Sequence, residues 1–303
     1  VFFEGGLSGI WRIHHLFIFN FYRTMNKHIE AIVDIALNED IGQGDITTSA
    51  IFSGSDTAKA VFVAKKSGVV AGIQLAAYIF EQVQPSLVFT PLAGDGTPVQ
   101  KDEVFAEVSG EAAAILTAER TVLNFMQRMS GIATKTSRFC EAIADYPTQL
   151  LDTRKTAPGQ RYLDKWAVRL GGGTNHRFCL DDMYLIKENH IAVAGGITEA
   201  LQTCAAHREQ KGIQAKIEIE VEHPDQLDEV LQTGIADIVL LDNMSNKQLS
   251  DAVEKIDGRI KTEASGNMTM RRAPEVAATG VNYISVGSIT HSVTAMDISL
   301  RFS

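Results

Sequence analysis

Cysteine is scarce in this chain of 303 residues: Cys140, Cys179 and Cys204 are an odd number with no CxxC spacing. Neither a disulfide framework nor a thiolate zinc site is indicated, and a reducing, cytoplasmic setting fits such usage best. Proline is scarce too, at 7 residues, and the 24 glycines follow no repeat. Collagen-like and low-complexity chains are thereby excluded. No apolar run approaches the roughly 18 residues of a membrane span, since the most hydrophobic stretch, Leu16 to Phe19, is broken by Asn20. Positive charge is short, with 28 Lys and Arg against 37 Asp and Glu and a net charge of −9. That balance argues against nucleic acid or an anionic membrane as partner, although a local basic site can still sit inside it. The Gly-x-Gly-x-x-Gly turn of a dinucleotide-binding fold is absent as well.

What is present, 45% hydrophobic and 21% charged residues, is the balance of a packed globular protein of one large or two ordinary domains. Residues 1–24 stand apart. They hold five of the 14 phenylalanines (Phe2, Phe3, Phe17, Phe19 and Phe21), and the composition breaks at Met25. Without the apolar core and cleavage site of a secretory signal, they read as an extension ahead of a natural start at Met25, either cloning-derived or a leader. From Asn26 to Leu37 the apolar residues recur at helical spacing, and residues 58–110 then change to short strands broken by Gly, Pro and charged residues. This predicts a small α+β domain, and residues 111–132 predict a long helix leading out of it.

The second half repeats a unit. Apolar runs end at Asp152, Lys187, Glu220, Asp242, Glu263 and Gly287, and amphipathic stretches closed by glycine lie between several of them. Alternating strand and helix implies a parallel sheet, and the short unit favours an α/β barrel or partial barrel. Catalytic groups of such barrels sit where the strands end, which selects those six positions.

Between Arg154 and Arg177 six Lys and Arg face a single acid, Asp164, in a chain that is acidic overall. Arg161, Lys165 and Arg169 are spaced for the solvated face of a helix. Arg154, Lys155, His176 and Arg177 instead flank a strand end and the Gly171-Gly172-Gly173 loop, where guanidinium forks can grip carboxylate or phosphate. A small, multiply anionic ligand is expected. Glu220 and Asp242 end neighbouring strands and suit Mg²⁺, a hard ion that takes few protein oxygens plus substrate phosphate; a general acid/base pair is the rival role. Strand alternation places Glu218 and Glu222 on Glu220's face, so spacing alone does not choose among the three. Ser265-Gly266 and Gly287-Ser288 follow the last two strands, where backbone N–H groups can cradle phosphate. Lys187 has the position of a Schiff-base lysine, but the surrounding cations favour an electrostatic role. His190 lacks further His or Cys partners at metal-ligand spacing and reads as structural.

With these residues in hand, the sequence resembles the quinolinate phosphoribosyltransferases. The likeness runs from about Ile29 to the C-terminus through EDIGQGDITT (39–48), ERTVLNFMQRMSGIAT (119–134), DTRKTAPGQR (152–161), GGGTNHR (171–177), LIKENH (185–190), EIEVE (218–222), LLDNM (240–244), EASGNM (263–268) and YISVGSITHS (283–292). The resemblance implies an N-terminal α/β sandwich over 25–120, rejoined by 294–303, and a seven-stranded, partly TIM-like α/β barrel over 121–293. It implies a homodimer, with a hexamer as the alternative, in which Arg120 of one subunit completes the other's site. It places Arg120, Arg154, His176, Arg177 and Lys187 around quinolinate. Lys155, Glu220 and Asp242 fall near phosphoribosyl pyrophosphate and Mg²⁺, while Lys187, Ser265, Gly266, Gly287 and His291 join Lys155 among the phosphate contacts. Two rivals stand beside this expectation: a paralogue acting on another aromatic acid such as nicotinate, whose single carboxylate leaves cations in surplus, and a silent sensor of phosphorylated ligands.

Overall fold

The computed structural model describes residues 25–54 and 56–302; the extension expected over 1–24 lies outside them. The described chain forms two compact units, one reaching Met129 and resuming at Met296, the other Ser130–Ala295. The sequence leads one to divide them at 120/121 and 293/294.

In the first unit, helix α1 (Lys27–Ile41) starts at Asn26, whose side chain accepts from the His28 N–H at 2.9 Å. Helix α2 (Ile46–Ile51) starts at Asp45, which accepts from the Thr48 N–H at 2.9 Å. Each cap satisfies a donor that the first helical turn leaves open. Strands β1 (Thr57–Ala64), β2 (Gly68–Val69), β3 (Val88–Pro91), β4 (Pro98–Val99) and β5 (Val104–Glu111), with helix α3 (Ile73–Val83), complete the N-terminal part. The C-terminal strand β12 (Ile298–Phe302) pairs antiparallel with β1, so that the main sheet runs β12-β1-β5-β3. Phe62, Phe80 and Phe105 are buried. Phe62 meets Phe80, Phe89 and Phe105 with ring centroids 5.8–6.1 Å apart. Each such buried ring contributes about 1.5–3 kcal/mol, and this cluster is the unit's core. Asp95 caps α3 from a distant loop, accepting from the N–H groups of Gly72, Ile73 and Gln74 at 2.5, 2.9 and 3.2 Å.

Helix α4 (Ala112–Ala142) extends past the predicted Ile132 and carries the chain into the second unit. There the six apolar runs become the strands β6 (Gln149–Leu151), β7 (Tyr184–Ile186), β8 (Ile217–Val221), β9 (Ile238–Asp242), β10 (Lys261–Ser265) and β11 (Tyr283–Ser285). All pair in parallel, in the order β6-β11-β10-β9-β8-β7. Helices α5 (Arg161–Leu170), α6 (Glu188–Ala194), α7 (Ile197–Lys211), α8 (Gln226–Thr233), α9 (Asn246–Ile256), α10 (Arg272–Ala277) and α11 (Ser288–His291) connect them. Every residue of β8 is buried, as expected of a strand covered on both faces.

The seventh strand implied by the resemblance is a single bridge, Thr174 beside Leu151. Thr174 donates its N–H to Leu150 at 2.8 Å and accepts from the Asp152 N–H at 3.2 Å. The glycines before it explain why pairing goes no further. A side chain on Gly173 would come within 2.8 Å of Thr136 and Val168, so the run is drawn against α4 and α5 and has little length left for the sheet. Among the described residues no helix is long and apolar enough to cross a membrane.

Candidate active site

The strand ends divide into supports and pocket walls. Asp152 is fully buried and pairs with Lys165, which is 1% exposed. Lys165 Nζ also donates to the His176 carbonyl at 2.9 Å, while Asp152 accepts from Asn175 Nδ2 at 2.6 Å and the His176 N–H at 2.9 Å. This network ties the 174–177 segment to β6. The solvated face expected of Arg161, Lys165 and Arg169 is therefore corrected: only Arg169 is exposed. Lys165 is core, and Arg161 joins two loops through Thr156 Oγ1 at 3.3 Å and the Phe178 carbonyl at 3.1 Å. Helix α5 turns these cations inward because the carboxylate and carbonyls they satisfy lie beneath it.

The mouth of the sheet encloses a cavity of about 860 Å³, lined by residues of the second unit. Arg154, Lys155, Arg177 and Lys187 all reach it. Among the described residues Arg154, Lys155 and Arg177 form no ion pair within 4 Å. Burial pushes the Arg177 guanidinium below its ordinary pKa, and the charge of Arg154 adds to the effect. Two neighbouring guanidiniums thus face one space without an acid between them, which is the electrostatic signature of an anion site. Lys187 is paired with Glu220, Nζ to Oε2 at 2.8 Å. His190, as expected, is structural: its Nδ1 accepts from the Lys187 N–H at 3.0 Å at the start of α6.

His176, expected among the ligand contacts, lines the cavity with its ring held against two acids from within the protein. Its Nε2 lies 3.0 Å from Glu218 and 3.4 Å from Glu263, both buried. Its Nδ1 accepts from the Arg177 N–H at 2.7 Å. Burial opposes a charge on the ring, and the two carboxylates outweigh it, pushing its pKa up to about 10. Glu218 is pushed up to about 7 by burial and by the charge of Glu263. With Nδ1 accepting from the backbone, Nε2 carries the ring's hydrogen and turns it toward the two carboxylates. Both ring nitrogens are committed within the protein, so His176 shapes the cavity wall and orients the Arg177 backbone.

Depth along β8 resolves which glutamate faces the mouth. Glu218 lies deep beside His176, Glu222 is exposed beyond the strand, and Glu220 reaches the cavity together with Asp242 of β9. Burial and, more weakly, the charge of Asp242 push the Glu220 carboxyl up. Two carboxylates that oppose each other's charge on neighbouring strand ends are a donor set suited to a hard divalent cation.

The remaining wall is backbone. Gly266 has φ +93°, and a Cβ there would collide with the Asn243 side chain and stand 2.9 Å from its backbone nitrogen. Asn243 in turn donates to Asp242 at 2.5 Å and accepts from Asn267 at 3.1 Å. Gly287 lies against the Lys155 stem and the His291 ring, which its Cβ would approach to 3.1 and 3.2 Å. Gly266→Ala therefore combines a left-handed strain of about 1–2 kcal/mol with a displaced Asn243. It is expected to lower the unfolding free energy by at least about 1–2 kcal/mol, as urea denaturation will show.

Two supports have no signal in the sequence. Arg272 donates to the carbonyls of Gly266 at 2.8 Å and Met244 at 2.6 Å, and Lys135 to those of Ser288 at 2.5 Å and Ser292 at 3.3 Å. Both act on backbone carbonyls, which any residue provides. Arg120 lies exposed on α4 within the first unit.

A parallel α/β sheet whose C-terminal mouth gathers guanidiniums, ammoniums, a pair of carboxylates and glycine loops defines an enzyme acting on small, multiply anionic, phosphate-bearing substrates. Residues 45–130 and 132–301 match the N-terminal and C-terminal domains described as quinolinate phosphoribosyl transferase. A quinolinate phosphoribosyltransferase (decarboxylating) of Nicotiana tabacum is 46% identical, with 90% of this chain and 82% of the relative covered. A probable nicotinate-nucleotide pyrophosphorylase (carboxylating) of Bacillus subtilis is 44% identical over 86% and 89%. The solved nicotinate-nucleotide pyrophosphorylase of Francisella tularensis superposes with a TM-score of 0.87 at 38% identity, covering 93% of this chain and 98% of that one. The chain belongs to the quinolinate phosphoribosyltransferase family.

Proposed function

We infer that this chain transfers the phosphoribosyl group of phosphoribosyl pyrophosphate to quinolinate with loss of CO₂, giving nicotinate mononucleotide and pyrophosphate for NAD biosynthesis. The observation that carries this is the neighbouring pair Arg154 and Arg177, neither ion-paired within 4 Å, joined in the cavity by Lys187. Two adjacent carboxylates on an aromatic ring complement such a clamp; nicotinate, with one, leaves a half-buried cation unmatched. Lys155, against Gly287 and His291, with Ser265 and Gly266 opposite, supports binding of the sugar donor's phosphates. Mg²⁺, held by Glu220 and Asp242, would neutralise the charge gathering on the departing pyrophosphate. One of these carboxylates stabilises the positive charge that develops on the ribose carbon. The pyridine nitrogen then attacks that carbon, and the resulting pyridinium stabilises the carbanion left as the C2 carboxylate departs. Transfer therefore precedes decarboxylation.

Arg154→Ala removes charge-assisted bonds worth about 2–3 kcal/mol, so the KM for quinolinate rises about 30- to 150-fold while that for the sugar donor stays nearly constant. Unchanged quinolinate affinity by calorimetry would contradict the clamp.

Arg120 belongs to the same reading as the residue that one subunit of a homodimer lends to its partner's site. Each of Arg120→Ala and Arg154→Ala is then impaired alone. Mixed and reassociated, they regain about a quarter of the native activity, because half the dimers are mixed and each of these has one complete site. No recovery on mixing removes the shared site. The free cysteines support a cytoplasmic, reducing location, although relatives from Oryza sativa and Arabidopsis thaliana are named chloroplastic.

A further inference from the structure

Lys187 has two claimants. Its ammonium stands 2.8 Å from Glu220 Oε2, yet it lines the same cavity as Arg154 and Arg177. The two partners differ in freedom, since the lysine side chain is 45% exposed and that of Glu220 only 10%. Lys187 is therefore the member that can move. Glu220, with Asp242 across the mouth opposing its charge, needs some cation whatever else is bound. The ammonium beside Oε2 repels a divalent cation approaching the same carboxylate, even at the free Oε1, so the metal binds Glu220 more tightly once Lys187 withdraws. A point charge on a flexible four-carbon stem is suited to such a move, whereas an arginine fork would be committed to one geometry.

We propose that Lys187 is an exchange cation coupling the two halves of the site: it neutralises Glu220 while the acid subsite is empty, and an aromatic dicarboxylate draws it away, freeing Glu220 for the divalent metal. The proposal rests on the roles given above to Glu220 and Lys187. By linkage the effect is reciprocal, so the metal and the acid favour each other's binding by the same factor. The second substrate, which needs the metal, then binds best once the acid is in place.

The test measures Mn²⁺ binding to the full chain by electron paramagnetic resonance, without the sugar donor. Phthalate serves as the acid because it has the two adjacent carboxylates and no ring nitrogen to react or chelate. Phthalate is expected to tighten Mn²⁺ binding about tenfold. Lys187→Met alone tightens it by a similar factor, and phthalate then adds little. Lys187→Gln repeats the comparison if the methionine variant does not fold. Variants that bind Mn²⁺ no more tightly than the native chain overturn the exchange, as does an equal response to phthalate in native and variant proteins, which would reflect direct attraction between dianion and metal. Either failure in a chain that turns over quinolinate leaves the functional reading intact; a folded native chain that does not turn it over removes that reading instead.

Discussion

Replacing Lys165 by methionine should lower the unfolding free energy by about 3–5 kcal/mol, because it leaves the Asp152 carboxylate buried without its counter-charge. The pair is almost wholly removed from water, at 1% and 0% side-chain exposure. Asp152 keeps Asn175 and the His176 N–H, but neutral donors do not replace an ammonium. Asp152→Asn combined with Lys165→Met recovers part of the loss, since no charge is then stranded. Urea denaturation of the two single variants and the double variant gives the coupling directly, and additive effects would contradict it. The damage is not confined to stability. Because the same network holds residues 174–177, a fraction that stays folded should show a raised KM for quinolinate through a misplaced Arg177.

Glu220→Gln and Asp242→Asn carry the largest expected effects on turnover. Under the proposed function each removes one negative charge that the metal and the developing positive ribose carbon would both need, and loss of one such fixed electrostatic partner lowers kcat about 100- to 1000-fold. The amides are nearly isosteric, so folding and quinolinate binding remain. Glu220→Gln should also release Lys187 from its ion pair, and quinolinate affinity should hold or rise while kcat falls. A variant that loses quinolinate affinity and kcat in parallel would place Glu220 in the acid subsite instead.

What could be foreseen follows from what each residue answers to. The six strands were legible because each lies in a largely apolar stretch that ends at a polar or glycine residue. Glu220 was ambiguous in sequence because Glu218 shares its face; depth along β8 separates them, and depth is a property of the whole sheet. Thr174 escaped because a one-residue bridge after three glycines has no periodicity. Lys165 and Asp152 are thirteen residues apart in the chain, and nothing local distinguishes a lysine that folds inward from one on a solvated face. His176 carries the same lesson: its place at the cavity was legible, but the two buried carboxylates against its ring, far along the chain, were not. Gly266 was selected for its amide, while the structure adds that its left-handed backbone beside Asn243 leaves no room for a side chain.

The most direct test of the central claim is to incubate the chain with quinolinate, phosphoribosyl pyrophosphate and Mg²⁺ and to follow CO₂ and nicotinate mononucleotide together, with nicotinate as a parallel substrate. Equimolar CO₂ and mononucleotide from quinolinate, and neither mononucleotide nor CO₂ from nicotinate, is the predicted result. Mononucleotide formed from nicotinate at a comparable rate, or no product from folded protein, would contradict it.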